Sequence, residues 1–132
     1  MKNQALALAA ALALPGCSAP PLEALQTKLN ELAFALFASQ GQATLGAALR
    51  QYEGGDYAGA EKSLQNALEQ GLPRVDQVMA HKHLAFIHCA AKRTEACRGE
   101  FQLALQVDPR ADLDPAEAGH PAWGPVFRSL TR

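Results

Sequence analysis

The chain has 132 residues, a formal net charge of −1 and hydrophobic side chains at 48% of its positions. Its length fits one domain, and its balanced charge argues against nucleic acid as a partner, because proteins that bind nucleic acid carry clustered basic residues. Alanine and leucine dominate whereas β-branched residues are few, a bias that favours helix over sheet. We therefore expect an all-α fold.

The first 17 residues differ in composition from the rest of the chain. One early cation, Lys2, precedes an apolar run over residues 5–14, which is too short to span a bilayer but suits the apolar region of a secretory leader. The run ends in Leu14-Pro15-Gly16-Cys17, which resembles the lipobox of bacterial lipoproteins. This resemblance implies acylation of Cys17, and the Ser18 that follows implies passage to the outer membrane.

Pro15 departs from the lipobox pattern, which usually has Ala, Ser, Thr or an aliphatic residue two positions before the cysteine. Two other interpretations stay open: a leader removed by a soluble-protein peptidase, and a buried N-terminal helix. We expect a lipoprotein signal peptide over residues 1–17, a linker over 18–21 and one helical domain over 22–132. The mature protein would be exported and lipid-anchored at the periplasmic face of the outer membrane.

A stripe of leucines follows the linker. Its members recur at alternating steps of three and four, which predicts one apolar face on a helix that ends near Gly41. A free coiled coil would need three to four sustained heptads, and Phe34 and Phe37 lie beside the stripe. We therefore expect this helix to pack on the domain as an N-terminal capping helix. The leucine stripe consists of Leu22, Leu25, Leu29, Leu32 and Leu36.

Glycine and proline breaks divide the next part of the chain into four helical segments. The predicted helices cover residues 43–53, 56–69, 76–91 and 95–107, in the order of two tandem hairpins. A short C-terminal helical cap is predicted after them. Asp114-Pro115-Ala116-Glu117 has the composition of a helix start, and apolar residues at helical spacing follow, of which Trp123 is expected to be a core anchor.

The two hairpins resemble each other and resemble tetratricopeptide repeats. Ala60, Leu64 and Ala67 in the first hairpin correspond to Cys97, Phe101 and Ala104 in the second, and the second string ends in Asp108-Pro109. Ala60 and Cys97 are 37 residues apart, which the resemblance explains by a three-residue insertion into a 34-residue period. Any packed helical hairpin shows part of this pattern. The packing residues expected between the helices are Ala48, Ala60, Ala67, Ala85 and Ala104 as close contacts and Tyr57, Leu64, Leu84 and Phe101 as fillers.

The repeat resemblance implies a partner-binding groove, because in tetratricopeptide proteins the first helix of each repeat lines a concave face. Aromatic and apolar side chains beside Glu53 and Lys82 would suit a partner helix or an extended peptide. The expected groove consists of Gln42, Leu45, Leu49, Tyr52 and Glu53 in the first repeat and Met79, Lys82 and Phe86 in the second.

Cys89 and Cys97 lie nearly symmetrically about a predicted tight turn over residues 92–94. Residues so placed on antiparallel helices face each other, and an oxidising compartment favours a disulfide between them. The alternative is a pair of small buried thiols. We expect a structural disulfide, since a redox-active pair would more naturally have the spacing Cys-x-x-Cys.

Three histidines near Cys89 suggest a metal site, but their spacing argues against one. His81 and His88 are seven residues apart and share a helix face, whereas His83 points away from both, and no i,i+4 histidine pair is present. We expect packing roles for His81 and His88, with neither a metal nor a cofactor. A small metal-binding or redox protein built on His81, His88, Cys89 and Cys97 stays the less favoured alternative.

Enzyme signatures are missing from the sequence. It contains no glycine-rich phosphate loop, no nucleophile elbow and no His-Glu-x-x-His motif. We therefore expect neither a catalytic residue nor a small-molecule substrate, and we interpret the domain as an interaction module.

A more particular resemblance covers about residues 78–128. The chain looks like the TssQ-type lipoproteins associated with type VI secretion. The resemblance lies in the lipobox, in the segments 82–89 and 101–109 with Cys97, and in the string 115–127. The resemblance implies a small outer-membrane lipoprotein that serves as an accessory or assembly factor, with an envelope component of the secretion apparatus as its protein partner. A pilotin-like assembly lipoprotein of another outer-membrane complex is the alternative.

Overall fold

A computed structural model describes residues 21–132, and this part of the chain is all-helical, without a strand. The fold class predicted from composition is thereby confirmed. The predicted signal peptide with Cys17, and the linker up to residue 20, lie outside the described residues. The helices are α1 (Leu22–Glu53), α2 (Tyr57–Gln70), α3 (Arg74–Ala90), α4 (Thr94–Val107), α5 (Pro115–Ala118) and α6 (Gly124–Leu130).

The four longer helices pack as two consecutive pairs. The second half of α1 packs on α2, α3 packs on α4, and a smaller contact between α2 and α3 joins the pairs. The first pair turns at Gly54, Gly55 and Asp56, where the Asp56 carboxylate accepts a hydrogen bond of 2.9 Å from the Gly59 N–H and so caps α2. Gly55 has a φ of +82°, a conformation that favours glycine.

Alanines allow the close contact between helices. All five alanines that the sequence pattern assigned to close contacts are fully buried, as are Leu64 and Phe101, and Leu84 is nearly so. The assignment of Tyr57 to the same layer is wrong. Tyr57 is half-exposed at the first residue of α2, outside the layer between the helices, and its ring lies 5.4 Å from that of Tyr52 between centroids.

The predicted helix boundary near Gly41 is also wrong, since α1 runs through this residue without a break. Gly41 is buried, and a Cβ atom there would overlap the carbonyl oxygen of Gly71 and lie 3.0 Å from that of Ala67. The glycine therefore allows α1 to approach the end of α2. Its function is close packing, which a helix interior tolerates at a modest cost in conformational entropy.

The first half of α1 does not pack on the domain, so the expected capping role is wrong. Phe34 and Phe37 are exposed, and the side chains of the leucine stripe are between 47% and 82% exposed. The residues by which α1 contacts the other helices begin at Ala38. One continuous helix carries both parts, and its first half extends beyond the residues that pack on the core.

The C-terminal segment covers the second pair, as expected from its helix-start signature. Asp114 and Glu117 form a capping box on α5, in which the Asp114 N–H donates to the Glu117 carboxylate at 2.8 Å. Phe127 on α6 is buried, and its ring meets Phe101 of α4 edge to face at 5.1 Å between centroids. This segment completes the core of the second helical pair.

Candidate partner-binding site

The structure distributes the eight predicted groove residues over three environments, and two of them lie in the core. Leu45 is 4% exposed because it lies on the face of α1 that packs on α2 and α3. Phe86 is 3% exposed because the C-terminal segment covers it, and its ring stacks on Trp123 with 4.5 Å between centroids. The expectation that Leu45 and Phe86 line an open groove is therefore wrong.

Two further groove residues make polar contacts within the domain. The Gln42 amide donates to the Asp76 carboxylate at 2.7 Å, which links α1 to α3. The Lys82 ammonium lies 2.8 Å from the Glu117 carboxylate, and the Lys82 side chain is only 15% exposed. Both contacts connect separate elements, and neither side chain is fully available to a partner.

The remaining four groove residues reach the surface to different extents. Leu49 and Tyr52 are half-buried against the core, whereas Glu53 is exposed at the end of α1. Met79 is exposed on α3. The open part of the predicted groove is thus shorter than expected and lies between the end of α1 and the middle of α3.

A row of aromatic and histidine rings borders this surface, with the buried Phe86 among its members. Starting from Tyr57, successive ring centroids are 5.4, 5.1, 5.5, 4.5 and 3.4 Å apart, and neighbouring rings meet edge to face or stacked. The row extends from the exposed start of α2 to the C-terminal segment. We call it the aromatic row, and its members in order are Tyr57, Tyr52, His83, Phe86, Trp123 and His120.

Two titratable members of the aromatic row have shifted pKa values. Burial raises the pKa of Tyr52, with smaller contributions from Tyr57 and from the negative charge of Glu117. Burial lowers the pKa of His83 despite the hydrogen bond that its Nδ1–H donates to the Met79 carbonyl at 2.8 Å. Both shifts favour the neutral side chain, so the middle of the row is an uncharged surface with polar atoms.

The sequence pattern does not identify His83 as part of this surface. Its direction away from His81 and His88 argues against a shared metal site, and the same direction places it between Tyr52 and Phe86. Its spacing of three from Phe86 on one helix was the available signal. Trp123, predicted to be a core anchor, is partly buried against the core and keeps one edge at the surface, with its indole N–H donating to the Glu117 carbonyl at 2.9 Å.

The other two histidines of α3 face acidic side chains. His81 Nδ1 lies 2.7 Å from the Glu100 carboxylate, and both side chains are mostly buried. His88 is 7% exposed, and its Nδ1 lies 4.0 Å from Glu61. Within residues 21–132, no three side chains of the metal-binding types are arranged to hold an ion.

Glu61 also forms a two-bond ion pair with Arg93. The guanidinium donates to both carboxylate oxygens, at 3.1 and 2.7 Å, and these hydrogen bonds lower the pKa of Glu61 and raise that of Arg93. The pair links α2 to the turn before α4. Since the Arg93 side chain is 45% exposed, solvent screens this interaction.

The cysteine pair predicted to form a disulfide lies at disulfide distance. Cys89 at the end of α3 and Cys97 in the first turns of α4 are bonded, and their Cα atoms are 5.2 Å apart. Both residues are buried beside Phe86 and Phe101. The bond closes the turn between the helices of the second pair and has a structural position.

Among the described helices, α1 alone is long and apolar enough, by length and composition, to cross a membrane. An apolar helix near the N-terminus is compatible with an exported protein. Comparison with models of protein families, with curated proteins and with solved structures finds no match to this chain.

Proposed function

We propose that the chain is a lipid-anchored periplasmic interaction module, accessory to a type VI secretion apparatus, and that it binds a protein partner of the cell envelope. The observation that carries the proposal is the aromatic row. Tyr52, His83 and Trp123 combine partial exposure with aromatic packing, the combination found at the centre of protein interfaces. A site of this kind provides contact area and hydrogen bonds and requires no catalytic group.

The chemistry around the row indicates what kind of partner fits. Glu53 is exposed beside the row, whereas the Glu117 carboxylate is paired with the Lys82 ammonium at 2.8 Å, so Glu53 leaves an acidic group open to a partner. The middle of the row is uncharged, as the shifts of Tyr52 and His83 require. We propose a partner segment with an apolar or aromatic side chain next to a basic residue, in a helix or an extended peptide.

We further propose that the helical pairs stack as tetratricopeptide-like repeats. Three positions of the repeated motif support this arrangement, because the equivalent residues have the same burial in both pairs. Both members of each equivalent pair are fully buried, and the two members lie 37 residues apart. The pairs are Ala60 and Cys97, Leu64 and Phe101, and Ala67 and Ala104. A repeating core of this kind leaves a face at each end that other elements must cover, and the C-terminal segment covers one.

The proposed anchoring depends on Cys17 and its lipobox resemblance. Only four residues separate Cys17 from the start of α1, so acylation would hold the start of α1 close to the membrane. Three acyl chains would anchor it stably, because one chain alone binds a membrane only marginally. The intact mass of the membrane-extracted protein tests this part directly.

Site-specific crosslinking from the full-length chain in its native membranes tests the partner. A photoreactive residue at Tyr52 should crosslink an envelope component of the type VI apparatus, identified by mass spectrometry, whereas the same residue at Leu103, which is exposed on α4, should not. Equal crosslinking from both positions, or none from Tyr52, contradicts the proposal. A secretin crosslinked from Tyr52 would instead favour the pilotin-like alternative.

A further inference from the structure

The leucine stripe on the first half of α1 contacts nothing within residues 21–132 that would remove it from water. Each of its five side chains is at least 47% exposed. Together the leucines form a continuous apolar face, and soluble monomers seldom expose one of this kind without a function. An occupant is therefore expected.

The domain itself does not cover this face, because the two halves of α1 present opposite sides. Leu36 and Leu45 are nine residues apart, which is two and a half turns of an α-helix with about 3.6 residues per turn. Leu45 faces α2 and α3, so Leu36 and the rest of the stripe point away from them. Folding the stripe back would require a break in α1, and the helix is continuous through Gly41.

The spacing of the stripe matches the contact line of a coiled coil. Leu22, Leu29 and Leu36 take the first apolar position of the heptad, and Leu25 and Leu32 take the second. Such a line is self-complementary, because equivalent leucines of two helices interlock. We propose that the occupant is a second copy of this chain, and that two copies form a parallel, two-stranded coiled coil along the leucine stripe.

The positions that flank the stripe are compatible with this pairing. They are occupied by Gln26, Lys28, Ala33 and Ala35, of which only Lys28 is charged. In a parallel coil Lys28 would lie beside Ala33 of the second copy, so no like charges meet. A bilayer surface is a poorer match, because helices that lie on membranes are usually rich in Lys and Arg, whereas this one carries Glu23, Glu31 and a single lysine.

The stripe covers little more than two heptads, a length at which isolated helices associate weakly. Two features offset this. The second half of α1 is held by the domain and so already nucleates the helix. The second feature rests on the proposed function: acylation of Cys17 would confine both copies to one membrane with their N-termini at the same level. This confinement raises the effective concentration of one helix at the other and selects the parallel direction.

Cysteine crosslinking of the full-length chain in membranes tests this proposal. Single substitutions Leu25→Cys and Leu36→Cys lie near the two ends of the stripe, and Glu31→Cys on the far side of the helix is the matched control. In a parallel coil, oxidation should link two copies through Leu25→Cys and also through Leu36→Cys, at several times the yield from Glu31→Cys. The added substitution Leu29→Asp should abolish the link, whereas Thr27→Asp should leave it.

Three outcomes overturn the proposal. Linking only between a Leu25→Cys chain and a Leu36→Cys chain shows an antiparallel pair. Equal yields from all three positions show random collision. No link, together with quenching of a fluorophore at Leu29→Cys by brominated lipids, shows a helix on the bilayer. The intact mass of the same sample reports acylation of Cys17 separately. Partner crosslinking from Tyr52 uses the other face of the molecule. Failure of the proposed function can therefore be distinguished from failure of the coiled-coil proposal.

Discussion

The ring of Trp123 stacks on the ring of Phe86 with 4.5 Å between centroids and 29° between planes. Trp123 directly precedes α6 in the C-terminal segment, and Phe86 lies at a position of α3 that the repeat resemblance assigns to an open groove. The stack therefore places Phe86 in the core. What is left for a partner is the edge of that contact, where Trp123, His83 and Tyr52 are each only partly buried.

We expect Trp123→Ala to destabilise the domain by about 2 to 3 kcal/mol, below the range for fully buried Trp because this side chain is only partly buried. The substitution removes the stack on Phe86 and leaves the Glu117 carbonyl without its indole donor. Urea unfolding followed by circular dichroism measures the change. Val75→Ala, at an exposed position, should stay within about 0.5 kcal/mol of wild type, and a Trp123→Ala effect equally small would contradict the structural assignment.

Two glycines of α1 should respond to alanine in opposite directions. Gly41→Ala should destabilise the domain by several kcal/mol, because the new methyl group would overlap the backbone of Gly71 and α1 would have to move off α2. Gly46→Ala should stabilise it by about 0.5 to 1 kcal/mol through helix propensity, since a Cβ there meets only the Arg50 side chain at 3.6 Å. The midpoint of thermal unfolding should fall for Gly41→Ala and rise for Gly46→Ala. A Gly41→Ala protein as stable as wild type would exclude the close approach of α1 to the end of α2.

Loss of the Cys89–Cys97 disulfide should lower the free energy of unfolding by about 2 to 3 kcal/mol in the chain-entropy model for a short loop. Thermal unfolding with and without reductant measures the loss. The double variant Cys89→Ala/Cys97→Ala should unfold at the same temperature in both conditions. A wild-type protein whose unfolding is insensitive to reductant under denaturing conditions would show that the bond does not form.

The buried His83 should make the domain less stable in mild acid. Its pKa is lowered in the folded state, while in the unfolded chain it is about 6.5, so below that pH the unfolded chain binds more protons than the folded one. The contribution of neutral His83 to the free energy of unfolding is complete above pH 6.5. It is lost as the pH falls through the pKa that His83 has in the folded state. Glu61, whose pKa is lowered from 4.5, acts in a more acidic range.

Urea unfolding at pH 7.5 and 5.5 measures this dependence. His83→Gln keeps a polar side chain that does not titrate, so the variant should lose less stability than wild type over the same interval. Other groups contribute equally to both proteins, and the difference between them isolates His83. Equal losses in the two proteins would show that His83 remains as easily protonated in the fold as in the unfolded chain.

Local patterns predicted several features that the structure bears out. Helix boundaries after Gly55 agree within a few residues, because glycine, proline and capping residues act on the chain next to them. The Asp114 helix start and the proximity of Cys89 and Cys97 are local in the same sense. Each depends on residues fewer than ten positions apart.

Predictions failed where a residue's role depends on a distant segment. Gly41 was interpreted as a helix end, but its environment is set by Gly71 across the interface of α1 and α2. Phe86 was assigned to an open surface, because its periodicity shows only that it is apolar and not that Trp123 covers it. Neither contact leaves a trace in the spacing of nearby residues.

Short-range periodicity and turn chemistry are enough to predict the helical fold class, most helix boundaries, the small residues between paired helices and the nearness of the two cysteines. Which apolar face of α1 is buried and which stays in water depends instead on contacts with distant helices. The stripe at Leu36 and the core position Leu45 read as equally apolar, and the course of one unbroken helix past α2 places them on opposite sides.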